Sequence, residues 1–306
     1  NMSFNVQGGR ATTNNFTLDG LPIVDLGAAT GSVDFLSMDA VREVKILVSN
    51  FQAEFGRKPG ASIQAVTKSR TKDLHGVAYW YKRHEGFNAN NFFNNRGGLP
   101  IAKYRYTTAG FNVGGPIFIP GKFNADRNKL FFFFATEQLR EQRPQPIREL
   151  TMPTTAERSG DFSESVDLNG ALIVVRDPAN SQPLPGNRIP SSRINRLGKG
   201  YLNLLPAPNF FDTRISARRY NYQYQESLDA PKHNELVRID YAVNPKLLVY
   251  GRFNHWWEET RGAAAPAGST NWGWLPSSYQ NRARTLVLNS TVLLNPTTVI
   301  EASFGY

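Results

Sequence analysis

A chain of 306 residues with a mean hydropathy of −0.42 and no apolar run of about 18 residues holds no transmembrane helix, although a membrane β-barrel leaves only weak alternating signals and is equally polar on average. The absence of cysteine excludes disulfide frameworks and thiolate metal sites and fits an oxidising exterior compartment. A formal net charge of +10 raises nucleic acid as a partner, but the basic residues are spread rather than blocked and no recognition module is visible, so no nucleic-acid binding is expected.

Residues 1–70 mix short apolar blocks with glycine-rich turns, and from residue 71 the pattern changes to alternating segments of roughly the 9 to 11 residues that a tilted membrane strand requires. Strands are expected at 75–83, 104–114, 129–138, 233–243, 246–258, 285–294 and 299–306. The clearest is 233–243, where Val237, Ile239, Tyr241 and Val243 oppose Arg238, Asp240 and Ala242, giving one apolar and one charged face. Asn244-Pro245 turns it into a second run in which Leu247, Val249, Gly251 and Phe253 oppose Tyr250, Arg252 and Asn254. Asn295-Pro296 joins the last two runs in the same way. Connections 84–103, 139–232 and 259–278 are long, whereas those after 243 and 294 are minimal, an asymmetry typical of membrane barrels with short periplasmic turns and long extracellular loops. Aromatics near the long loops, including Tyr79, Trp80, Tyr81, Tyr104, Tyr106, Trp256 and Trp257, suit an interfacial girdle. Alternation alone leaves open a soluble β-sandwich or propeller. Within the proline-rich segment 139–232, a short strand is expected at 172–176 and a helix within 191–205, capped by Ser191 or Ser192, so that a small folded extracellular cap results.

Particular blocks then carry a family resemblance. Phe4-Asn5-Val6-Gln7-Gly8-Gly9-Arg10, Asn14-Asn15-Phe16-Thr17-Leu18-Asp19-Gly20, Met38-Asp39-Ala40-Val41-Arg42-Glu43-Val44, Glu54-Phe55-Gly56-Arg57 and Gly60-Ala61-Ser62-Ile63-Gln64-Ala65-Val66-Thr67 resemble, in order and spacing, the plug of a TonB-dependent outer-membrane transporter. Asp73-Leu74-His75-Gly76, Phe87-Asn88-Ala89-Asn90-Asn91-Phe92-Phe93, the phenylalanines 131–134 and Glu157-Arg158-Ser159-Gly160-Asp161-Phe162-Ser163 are similar to the Oar-like branch of that family. The resemblance implies a mainly β chain: residues 1–70 as the C-terminal part of an α+β plug, and 71–306 as the first antiparallel strands of a transmembrane barrel that has 22 strands in the family. It further implies residence in the bacterial outer membrane beside lipopolysaccharide, uptake of a small ligand of siderophore-like, glycan or peptide class, and coupling to the TonB-ExbB-ExbD complex through a TonB box outside these residues. A surface adhesion or secretion-associated role on the same scaffold, and a soluble carbohydrate-binding β-protein, are the alternatives. The family usually has Ser-Gly-Thr at the plug-to-barrel junction; here it reads Ser69-Arg70-Thr71, which would strain the turn if that position needs positive φ.

No residue pattern argues for an enzyme or a cofactor. His75, His84, His233 and His255 show no metal-ligand spacing, and the serines near aspartate lack a nucleophile elbow. A plug must fill the lumen yet stay able to rearrange, which favours ion pairs and waters over an apolar seam. Arg10, Asp19, Arg42, Glu43, Glu54 and Arg57 are therefore expected on the plug side of such contacts, and Glu137, Arg238, Asp240, Arg252 and Glu301 on the wall. The aromatics Phe92, Phe93, Trp272, Trp274 and Tyr279 are placed in loops, where they either stack on a ligand or pack the loops.

Overall fold

The computed structural model describes the chain except residues 1–4, 7, 25–35, 49–50, 53–54, 56–59 and 263–275. Two sheets organise it. The first is small: β1 (Asn15–Leu18), β2 (Leu21–Pro22), β3 (Val41–Leu47) and β4 (Ser62–Thr67) lie in the order β2-β1-β4-β3, with β1 parallel to β4 and the other pairs antiparallel. A 3₁₀ turn over Met38–Ala40, capped by the Ser37 side chain, leads into β3.

The second is an antiparallel meander of long strands. β5 (His75–Arg83), β6 (Arg105–Pro116) and β7 (Leu130–Pro144) are followed by β11 (Lys232–Asn244), β12 (Leu247–Gly262), β13 (Ser277–Asn295) and β14 (Thr298–Gly305), each paired with the next. The short β10 (Ser227–Asp229) bridges β7 and β12 beyond the start of β11, completing eight strands. The seven expected strands all form, but several run further: β7 continues six residues past Gln138, and β13 begins at Ser277 rather than 285. Residues 277–284 are polar on both faces, so alternation of hydrophobicity could not reveal them.

The two faces separate as the alternation implies. Val237, Ile239, Phe253, Leu286 and Leu288 stay exposed on the outer face, while Leu236, Arg238, Asp240, Arg252, Asn254, Trp256 and Val287 are buried on the inner one. Successive phenylalanines split the same way, with Phe131 and Phe133 buried inside and Phe134 meeting Phe111 outside at a 5.6 Å ring separation. The girdle expectation is corrected in part. Trp80 is 63% exposed on the outer face, but Trp256 is 2% exposed on the inner face, because it shares parity with Arg252 and Asn254.

Residues 145–226 form the folded cap. β8 (Arg148–Leu150) pairs with β9 (Tyr222–Tyr224), closing the base of the segment. α2 (Thr155–Arg158) starts with a complete capping box between Thr154 and Glu157. The Arg158 guanidinium donates to the carbonyls of Pro153, Leu202, Leu205 and Pro206, satisfying the end of α3 (Arg196–Leu202), and Gly160 provides the left-handed residue (φ +85) that turns the chain away. Two local expectations are corrected. Residues 172–176 make only isolated bridges at Leu172 and Arg176, and the helix is capped by Asn195, whose side chain accepts from the amides of Leu197 and Gly198. Arg70 is absent from the positive-φ residues, so the junction is not strained in the way its sequence suggested. A last short helix, α4 (Thr213–Ser216), follows.

One glycine has a packing reason. Gly110 on β6 lies opposite Tyr79 on β5, and a Cβ there would come within 2.8 Å of the Thr136 carbonyl and overlap the Tyr79 ring. Gly110→Val in the full-length protein should therefore lower the yield of assembled, heat-modifiable barrel in outer-membrane fractions, with a cost of about 1–3 kcal/mol; an unchanged yield and melting temperature would contradict the close approach. In the cap, the hydrogen bonds of Arg193 hold the Asp177 carboxyl at about 2, below its ordinary 3.8, and Ser163 with Arg188 does the same for Asp161. A depressed carboxylate stabilises the fold above its unfolded pKa and loses that contribution as pH falls towards the folded one. Pepsin cleavage within 161–193 is expected to rise between about pH 4 and pH 2, with Arg193→Gln moving the onset upward.

Candidate functional site

The site begins with a two-residue turn. Leu18-Asp19-Gly20-Leu21 joins β1 to β2, and Asp19 (φ 49) and Gly20 (φ 83) are both left-handed, the conformation for which Asp-Gly is favoured. The Asp19 amide donates to the Ala65 carbonyl at 2.9 Å. Its carboxylate accepts from the Thr67 amide at 2.9 Å and the Thr67 hydroxyl at 3.0 Å, so the end of β4 fixes its direction. That direction is towards the inner face of the large sheet.

There, Arg238 on β11 and Arg252 on β12 are direct cross-strand partners. Like charges so placed repel, and burial removes the water that would screen them. Asp19 lies between them: its carboxylate oxygens are 3.5 Å from Arg238 Nη1 and 3.2 Å from Arg252 Nε. Arg238 also donates from Nε and Nη2 to both oxygens of Asp240 at 3.0 and 2.9 Å, and from Nη1 to the Thr67 hydroxyl at 2.9 Å. Its guanidinium stacks 4.0 Å over the Tyr250 ring. Side-chain exposure is 2% for Asp19, 8% for Arg238, 7% for Asp240 and 0% for Arg252. Two cations and two carboxylates thus form a neutral, desolvated cluster across two sheets. A cavity of about 150 Å³, lined by Arg70, Arg238, Asp240, Tyr250, Asn289 and Glu301 among others, adjoins it and has room for several waters.

A second polar contact links the same two sheets. The hydroxyls of Ser37 and Tyr79 are 2.9 Å apart, and Tyr79 donates to Glu137 at 2.6 Å. Between the two polar contacts lies a small apolar one, in which Ala40 and Leu36 pack on Phe133, Ala135 and Leu236.

Of the residues nominated from sequence, Asp19, Arg238, Asp240 and Arg252 meet in one cluster, Glu137 joins the Tyr79 contact, and Glu301 accepts from Asn289 at 2.9 Å and lines the cavity. Arg10, Arg42 and Glu43 are exposed, the last two on β3, at the edge of the small sheet, and make no ion pair among the described residues. Glu54, Arg57, Trp272 and Trp274 lie outside the described residues. Phe92 and Phe93 sit on α1 (Phe92–Arg96), both exposed and edge-to-face at 5.5 Å. Tyr279 is corrected from loop to strand, opposite Thr260. Thr67, Ser37 and Tyr79 were missed; Asp19 and Thr67 are 48 residues apart, and no local signal announces their pairing.

This geometry can be set beside known proteins. The sequence model of the outer membrane beta barrel domain matches residues 66–306. This chain belongs to that family. It is accordingly a protein of the bacterial outer membrane, and the soluble alternative falls away. Its sequence is 27% identical over 190 residues to the TonB-dependent transporter Oar of Myxococcus xanthus, a match spanning 56% of this chain but 16% of Oar. Its fold is similar to the outer membrane transporter YddB of Escherichia coli (TM-score 0.57, 9% identity, 99% of this chain and 32% of YddB) and to a mutant of the ferric enterobactin receptor PfeA of Pseudomonas aeruginosa (TM-score 0.52, 10% identity, 98% of this chain and 33% of PfeA). The outer membrane barrel chain therefore spans about a third of each of these two solved structures.

Replacing Asp19 by asparagine keeps the shape and removes the charge between the arginines. Breaking a buried ion cluster by deleting one partner costs about 3–5 kcal/mol. Asp19→Asn should lower the thermal or denaturant stability of the full-length protein by that order, and adding Arg252→Met should restore part of it. Equal stability of Asp19→Asn and wild type would show that the cluster carries no coupling.

Proposed function

We propose that the whole protein is a TonB-dependent outer-membrane importer, in which residues 1–70 belong to the plug and residues 71–306 to the first barrel strands, with the segment 139–232, including the cap at 145–226, facing the cell exterior. The observation that carries this reading is the buried Asp19–Arg238–Arg252–Asp240 cluster, which joins the small sheet to the inner face of the large one through charge. A polar seam can exchange its partners for water, whereas an extended apolar seam would have to expose its area at full cost.

In this mechanism an external ligand of siderophore-like, glycan or peptide class is captured by the exterior loops, where the exposed pair Phe92 and Phe93 offers a stacking surface. Force from the TonB-ExbB-ExbD complex then acts on the plug. The Asp19 contact separates, waters enter the adjoining polar cavity, and the lumen opens. Each arginine keeps a compensating group or solvent at every stage, and no covalent chemistry is needed. The exposed apolar outer face meets membrane lipid, and the basic rim near the long loops meets lipopolysaccharide.

The test is uptake in cells with intact and deleted TonB, comparing wild type with Asp19→Asn. Wild-type uptake should require TonB. Asp19→Asn should loosen closure, raising sensitivity to antibiotics too large for the porins severalfold even without TonB. Outer-membrane location without TonB-dependent uptake would overturn the importer reading and favour adhesion or secretion.

A further inference from the structure

Strand register brings two histidines and a glutamate together on the outer face of the large sheet. Glu235 precedes Val237 by two residues on β11 and His255 follows Phe253 by two on β12, so both stand one pleat repeat beyond exposed apolar side chains of the same face. Glu235 and His255 are direct cross-strand partners, and His233 lies two residues along β11, opposite Trp257. His233 Nε2 is 3.0 Å from one carboxylate oxygen of Glu235, and His255 Nδ1 is 3.7 Å from the other. The imidazole centroids are 6.4 Å apart with their planes at 73°. The other two histidines are placed differently, at the two ends of β5: His75 contacts the Thr71 hydroxyl and the Asp73 carbonyl, and His84 accepts from the Gly86 amide beside Glu85.

Two imidazoles and one carboxylate are a donor set suited to zinc, nickel or copper. Around a tetrahedral ion with bonds of about 2.0–2.1 Å, neighbouring donor atoms lie about 3.3 Å apart, and the two nitrogen-to-oxygen separations bracket that spacing. As the side chains stand, the carboxylate lies between the rings, and the described residues form no closed metal cage. Convergence on one ion needs only side-chain rotation. The three side chains are 25%, 46% and 24% exposed, and the strands already hold direct partners about 5 Å and next-but-one residues about 7 Å apart at Cα. On the flanking strands, Thr136 and Gln138 lie opposite Glu235 and His233, and Arg284 and Arg282 lie opposite His255 and Trp257. None of these adds a carboxylate. A face with one carboxylate beside two arginines suits neither calcium nor magnesium, which take about six or more oxygen ligands.

We propose that His233, Glu235 and His255 form a surface site for one transition-metal ion of the zinc class, bound by both imidazoles and the carboxylate and open to solvent at its fourth position. The ion replaces the hydrogen bond between His233 and Glu235 and ties β11 to β12 on the face opposite the buried arginines. Spacing along the sequence conceals such a site, because the third ligand comes from the neighbouring strand. The site requires neither import nor TonB, so its failure and that of the importer reading are separately visible.

The full-length protein, purified in detergent without a polyhistidine tag and stripped by a chelator, is titrated calorimetrically with zinc chloride. It is compared with His233→Gln, Glu235→Gln, His255→Gln, the double variant His233→Gln/His255→Gln and a control, His75→Gln/His84→Gln. Wild type and control should bind one equivalent more than the double variant, and each single variant should weaken that equivalent about tenfold or more, at least the effect of losing an outer partner of a metal ligand. Affinity should fall as pH drops through about 6.5, where protons compete for the imidazoles, and excess calcium or magnesium should leave it unchanged. Saturating zinc should raise the melting temperature of wild type and not of the double variant, since the ion binds the folded strand pair. With copper(II) as the probe, paramagnetic resonance should show two nitrogen donors in wild type and one in each single histidine variant. Equal zinc binding by wild type and the double variant overturns the proposal, as does loss of the equivalent in the control, displacement by calcium, or a single nitrogen donor in wild type. Should one variant fail to assemble, the remaining variants and the wild-type copper spectrum decide.

Discussion

Two arginines on neighbouring strands cannot both be buried face to face unless an anion lies between them. Arg238 and Arg252 are in that position, and the register of β11 with β12 leaves them no other. A one-residue slip of either strand would carry its arginine to the lipid-facing side and bring Val237 or Phe253 inward, so the charged pair and the apolar band specify the same pairing. The compensating anion comes from the other sheet. Asp19 serves only because the Asp-Gly turn is left-handed, because β1 pairs in parallel with β4, and because Thr67 at the end of β4 holds the carboxylate with both amide and hydroxyl. The small sheet is thereby indexed to the large one by a charge rather than by a hydrophobic interface.

The strands were legible because membrane strands alternate with a period of two, and their inner residues were legible because a charge between apolar neighbours has one place to go. Arg238, Asp240 and Arg252 are placed on the inner wall by that alternation together with the resemblance to a plugged barrel, and they are buried there. What lay beyond reach has a common cause. Where a strand leaves the apolar slab, as β13 does over 277–284, both faces meet water or protein and the alternation vanishes; Tyr279 was therefore read as loop. Trp256 next to Trp257 looked like a girdle because composition records aromatics without parity. The Asn195 cap lost to Ser191 and Ser192 because Pro190 opens a separate 3₁₀ turn before the helix. The pairing of Asp19 with Thr67 depends on a parallel connection, which leaves no mark in local sequence.

The cap illustrates how a segment rich in proline avoids being structureless. Its elements are too short to be stable by propensity, so side chains supply what ladders do elsewhere. Arg158 gathers four carbonyls, and Asn187 donates to two carbonyls while accepting from the Val175 amide. Such a unit is held by a few multiply bonded residues, and its surface is left free to vary.

The contacts between the two sheets also differ in kind, and the difference bears on the proposed opening of the barrel. The apolar contact is small, because its members on the small-sheet side are Ala40 and Leu36. The polar contacts are directional and few, so a displacement of a few ångströms removes most of their attraction, and groups exposed by that displacement are ones that water solvates well. An apolar seam of the same extent would resist in proportion to area throughout the separation. A charge-indexed seam is therefore rigid at rest and yields abruptly under a pull, which is the mechanical response that the proposed force-driven gate requires.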